Sequence, residues 1–127
     1  MLDRPEGSSD AILVSLDFGD TGYEESLEEL KQLAISAGIS IRGVVEGKRD
    51  KPDAKYFVGS GKAEELADVV KATESRAVVF NHDLSPSQQR NLERLLECRV
   101  ADRTGLILDI FAQRAKSHEG KLQVELA

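Results

Sequence analysis

Short apolar, β-branched runs alternate along this chain with stretches of helical period, and nothing between them signals a hairpin. AILVSLDF (Ala11 to Phe18), Ile39 to Val45, RAVVFN (Arg76 to Asn81) and Cys98 to Ala101 read as strands. A helical segment follows each one. In the first, Tyr23, Leu27, Leu30, Ala34 and Ala37 recur on one face, with Thr21 and Glu24 at capping-box spacing and Gly38 as the terminator. Ala63, Leu66, Ala67 and Val70 form the stripe of the second. The third has the clearest start, since Ser85 can cap, Pro86 suits the first helical position and Gln88 completes the box, with Leu92, Leu95 and Leu96 inward. Strands joined through helices imply right-handed crossovers and a parallel sheet covered on both faces. The fold class predicted is therefore α/β: a Rossmann-like parallel sheet of about four strands flanked by helices, with the start of a helical subdomain after it. The expected divisions are a flexible N-terminus over 1–10, an α/β unit over 11–101, and a helical segment over 102–127.

That last segment, opened by Asp102 or Thr104, carries more hydrocarbon than one helix face needs. Leu106, Ile107, Leu108, Ile110 and Phe111 are apolar in five of six consecutive positions, and Leu122 and Leu126 repeat farther on with no residue to close the final turn. The sequence reads as an excised domain whose last helix lacks a packing partner, with His118 in a polar turn between two helices.

Composition narrows the function classes. With 127 residues and 40% hydrophobic content the chain can fill one core, and no apolar run is long enough to span a membrane or serve as a secretory signal, so the cytoplasm is the expected compartment. A net charge of -6 argues against an ordinary nucleic-acid module. The charge is unevenly spread, however. Arg42, Lys48, Arg49, Lys51, Lys55 and Lys62 outnumber the carboxylates of the middle segment, whereas Asp17, Asp20, Glu24, Glu25, Glu28 and Glu29 crowd the first third. Composition alone reads the basic stretch as a solvated loop.

Few residues suggest chemistry. VGSGK (Val58 to Lys62) places Gly59, Ser60, Gly61 and Lys62 at a strand-to-helix turn where an anion could sit. A Walker loop would need glycine at Tyr56 and a hydroxyl at Ala63, and a dinucleotide fingerprint would need glycine at Glu64. Glycines that merely permit a tight turn are the simpler reading. His82 and His118 lack metal-ligand spacing, so no metal is expected; His82 follows a strand at the edge where α/β sheets bind ligands and could contact one, but with no acid or nucleophile paired to it, it reads as a loop histidine. Cys98 reads as an inert, buried thiol. Asp102, Arg103 and Thr104 read as a cap and ion pair. No catalytic residue is assigned.

KYFVGSGKAEEL from Lys55, NHDLSPSQQRNLE from Asn81 and CRVADRTGLILDIFAQRAKSHEGKLQVELA from Cys98 resemble the N-terminal domain of the HflX-type GTPases, over nearly the whole chain from Ala11. The resemblance implies an α/β unit, then a helical subdomain, then a GTPase domain, in a protein that binds the large ribosomal subunit and splits stalled ribosomes. This chain has no Gly-x4-Gly-Lys-Ser/Thr and no Asn-Lys-x-Asp, so the resemblance implies a docking and regulatory domain without activity of its own. GTP and magnesium would belong to the missing domain, and no cofactor is expected here. The expected partners are the large subunit with its RNA and the protein's own GTPase domain. Basic positions available for RNA are Lys48, Arg49, Lys51, Lys55, Arg103, Arg114, Lys116 and Lys121. Two alternatives stay open: an adenine-nucleotide domain cradling its ligand at Gly59, Gly61 and Lys62, and a self-association module that pairs the surplus apolar helix in a homodimer.

Overall fold

The computed structural model describes residues 10–126, and side-chain surroundings as far as Ala115. Residues 1–9 of the expected flexible N-terminus, and the side chains of Lys116 and Lys121, lie outside the described residues. Strand β1 (Asp10–Asp17) leads into α1 (Tyr23–Ser36), β2 (Ser40–Lys48), α2 (Ser60–Thr73), β3 (Ala77–Phe80), α3 (Pro86–Leu96), β4 (Arg99–Ala101) and α4 (Arg103–Leu126). All strand pairings are parallel, in the order β2-β1-β3-β4. This is the expected doubly covered α/β sheet.

Alternation along β1 divides the core in two. Ile12, Val14 and Leu16 point to one face, where Leu66 and Val70 of α2 and Leu92 and Leu96 of α3 bury them. Ala11 and Leu13 point to the other, under Leu30 and Ala34 of α1 and Leu106 and Ile110 of α4. β1 is nearly continuous in apolar side chains because both its faces are covered. Its exception, Ser15, is fully buried.

The helix starts differ in how well the sequence foretold them. At α3 the capping box forms in full, Ser85 Oγ accepting from Gln88 N and Gln88 Oε1 from Ser85 N. At α1 the expected Thr21 cap does not form: Gly22, at φ 86°, takes the N-cap position and no side chain caps the turn. Glu24 and Glu25 then complement the helix dipole. The turn expected around His118 is also absent, since α4 runs unbroken for 24 residues, about 36 Å at 1.5 Å per residue. Among the described residues only its first two turns bury side chains in the domain, through Leu106 and Ile110. Leu108 and Phe111 are 60% and 62% exposed, so the apolar excess read from the sequence is uncovered among the described residues.

Candidate functional site

Three features gather around the carboxyl ends of the strands. The first is the basic loop after β2, and it is not a loose solvated segment. Asp53 and Phe57 pair through two backbone hydrogen bonds of 2.9 and 3.0 Å, and the Asp53 carboxylate accepts from the amides of Lys55 and Tyr56. The Tyr56 and then the Lys55 amide hold that carboxyl below its usual range, so it keeps its charge. From α3, Gln88 Nε2 donates to Asp53 O at 2.7 Å and Asn91 Nδ2 to Lys55 O at 3.0 Å. Phe57, buried and in the left-handed region at φ 69°, drives its ring into the core against Phe80 and His82. Pinned in this way, the loop leaves Lys48, Lys51 and Lys55 exposed, with the Lys55 ammonium 5.2 Å from the centre of the Tyr56 ring. Arg49 donates to Lys51 O and lies against Gly59, where a Cβ would come within 2.6 Å of its guanidinium.

The second feature is the VGSGK turn. Neither Gly59 nor Gly61 takes a positive φ, so a tight turn is not what requires them. Gly59 makes room for Arg49, and Gly61 lies in the first turn of α2 with open space at its Cβ position. Ser60 is exposed. Lys62 Nζ donates to Glu46 O at 3.0 Å and to Glu65 at 3.2 Å, which ties its charge back to β2 and to its own helix. An anion at this turn would compete with both partners.

The third feature is a crevice of ≈ 260 Å³ lined by Ser15, Asp17, Tyr23, Ser26, Asn81 and His82 among others. It opens where β1 and β3 lie side by side and successive crossovers leave in opposite directions, the position at which open α/β sheets bind ligands. His82 lies in the loop after β3, as expected, but it is fixed there. Its Nε2 accepts from Leu16 N at 2.9 Å, while its ring stacks on Phe57 and meets Phe18 edge-on. Burial, and then the Arg103 charge, lower its pKa, so the neutral ring that accepts this bond is the favoured form. Tyr23 donates to Glu46 at 2.6 Å, and its pKa is pushed up to about 12 by burial and by that carboxylate.

Behind the crevice, a polar clamp fixes α4. Arg103 donates to Asn81 Oδ1 at 2.6 Å and pairs with Glu29 at 2.8 Å, while Asn81 Nδ2 donates to Ser15 and Ser26. Asp102 caps α4 by accepting from Gly105 N and also accepts from Leu84 N, and Thr104 donates to Asp83. Asp102, Arg103 and Thr104 thus form the expected cap and ion pair. Arg103 is engaged inside the domain, whereas Arg114 is exposed on α4. Cys98, its pKa raised to about 11 by burial and by Glu93, is a poor nucleophile. No group of three or more potential metal ligands occurs among the described residues, and no helix there is long and apolar enough to cross a membrane.

Residues 24–112 match the family of GTP-binding GTPase N-terminal domains. The chain belongs to that family. It is 58% identical over 127 residues to the GTPase HflX of Escherichia coli, covering all of this chain and 30% of the relative. With the GTPase HflX of Alkalihalophilus pseudofirmus it shares 49% identity over 108 residues, 85% of this chain and 26% of the relative. The chain thus spans under a third of the length of these relatives. Among solved structures, the SsGBP and GDP complex superposes with a TM-score of 0.69 at 25% identity, covering 93% of this chain and 33% of that one. A GTP-binding protein of Sulfolobus solfataricus in complex with GDP shares the fold at a TM-score of 0.62 and 21% identity, over 82% of this chain and 30% of that one.

The sequence missed the features that lock the loop. Asp53 two residues before Lys55, just after Pro52, was a readable turn signal. The roles of Gln88 and Asn91 carry no local signal, because their partners lie 35 and 36 residues away.

Proposed function

We propose that this domain docks a cytoplasmic HflX-type GTPase on the large ribosomal subunit, through its basic loop, and regulates the GTPase domain of the same protein during the splitting of stalled ribosomes. The supporting observation is that Asp53, Gln88 and Asn91 hold the loop in one shape, with Lys48, Lys51 and Lys55 on the outside. A preorganised set of cations binds phosphate without first ordering a segment. Arg49 supports the loop from within, and Arg114, on the projecting part of α4, would supply a second anchor, with Lys116 and Lys121 beyond it. The domain itself takes no metal or nucleotide in this reading. GTP and magnesium belong to the GTPase domain.

Reversal of Lys51 and Lys55 to Glu in the full-length protein should weaken its binding to purified large subunits and reduce the salt slope by about one for each phosphate no longer neutralised. Sedimentation of the mixtures over a salt series measures both. Unchanged affinity and slope would remove the loop from the docking surface.

A further inference from the structure

The chain leaves β3 through two residues that serve opposite layers of the domain. The side chain of Asn81 turns to the α1–α4 face, where it holds Arg103 at 2.6 Å, and the ring of His82 turns to the α2–α3 face, where it stacks on Phe57 with 5.0 Å between centres. The grip on α4 continues along the same segment. Arg103 N donates to His82 O at 3.4 Å, Thr104 Oγ1 to Asp83 at 2.7 Å, and Leu84 N to Asp102 at 3.1 Å. The basic loop and the base of α4 lie on opposite faces of the sheet, yet Asn81 to Leu84 support both.

Phe57 is the part able to move. A bulky residue at φ 69° stays there only while its surroundings hold it. Two backbone bonds with Asp53 and ring contacts with Phe18, Phe80 and His82 supply that hold. Drawing the loop outward breaks the bonds, and the backbone then gains by relaxing with the ring withdrawn.

We propose that Asn81 to Leu84 carry the state of the basic loop to α4, with Phe57 as the two-position element. With the ring seated on His82 the segment is braced and Arg103 is gripped; with the ring withdrawn the segment slackens and the base of α4 loosens. The coupling runs equally in reverse. It rests on the docking reading only for what pulls the loop, since the coupling itself belongs to the free protein.

Hydrogen exchange of the full-length protein without ribosomes, followed in peptides covering 53–58, 66–73 and 103–110, tests the proposal. Asn91→Ala frees the loop at Lys55 O and should speed exchange of the α4 peptide about fivefold, and Arg103→Ala should do the same to the loop peptide. Phe57→Ala, which removes the ring itself, should loosen α4 at least as much. In a His82→Gln background, which keeps an acceptor for Leu16 N but no ring, Asn91→Ala should no longer reach α4. An α4 peptide unmoved by Phe57→Ala would overturn the proposal, as would a gain that survives His82→Gln or spreads equally to the α2 peptide as general unfolding. None of these outcomes bears on subunit binding, so the docking reading stands or falls separately with the Lys51 and Lys55 reversals.

Discussion

The two faces of the sheet are finished to different degrees. On the α2–α3 face Phe57, Val58, Leu66, Phe80 and Leu92 are buried, and the loop over them is stitched down by three side chains. On the α1–α4 face the core is smaller and bounded at the carboxyl ends of the two central strands by the Ser15, Asn81 and Arg103 clamp, and α4 leaves Leu108 and Phe111 exposed among the described residues. A closed face stores stability, whereas the apolar area exposed on the other contributes little to the fold of the described residues. The basic charge sits over the closed face, and the acidic charge lines the open one.

The largest expected effect sharpens this contrast. Leu92→Ala on the closed face should cost about 2–5 kcal/mol, because the emptied site is walled on all sides. Phe111→Ala on the open face should stay within about 0.5 kcal/mol despite removing a larger side chain. Urea unfolding of the two variants gives both numbers, and a comparable loss at Phe111 would mean that its ring is covered. Next comes the clamp. Asn81→Ala strips the partner from Ser15, Ser26 and Arg103 at once and should cost about 1–3 kcal/mol, with strong coupling to Arg103→Ala in a double-mutant cycle. Additive losses would show that the clamp does not act as a unit.

A smaller effect follows from His82. Its folded pKa lies below the ordinary 6.5, so on acidification through that value the unfolded chain takes up a proton that the folded one resists. Stability is complete above the unfolded pKa and falls as pH drops below it. Thermal melts between pH 7 and pH 5 should show a steeper loss for the native chain than for His82→Gln, and parallel curves would mean that His82 titrates as freely in the fold as out of it.

Most of the fold was legible in the residues because it rests on local signals. β-branched runs, helical stripes and the Ser85–Gln88 box gave the element order, and the absence of hairpin turns gave parallel pairing. Thr21 misled because Gly22, free to adopt a positive φ, displaced it from the cap. His118 misled because a polar stretch at a helix surface resembles a turn when only composition is read. The candidate site was less legible. The sequence placed Lys48, Lys51 and Lys55 together, but whether they ride on a rigid or a floppy loop depends on Gln88 and Asn91, which meet it only through the fold. Of His82 the residues showed its place after a strand but not its contacts, which are set by Leu16 N and two phenylalanine rings distant in the chain.

Gln88 occupies two jobs with one amide: its oxygen closes the cap of α3, and its nitrogen holds the carbonyl of Asp53. The loop and the first turn of α3 therefore form one opening unit in the native ensemble, and their amides should exchange with solvent together rather than singly. An encounter that pulls the loop away from the body also frays the start of a helix that packs on β3 and β4, so a force applied at Lys51 or Lys55 is felt within the sheet.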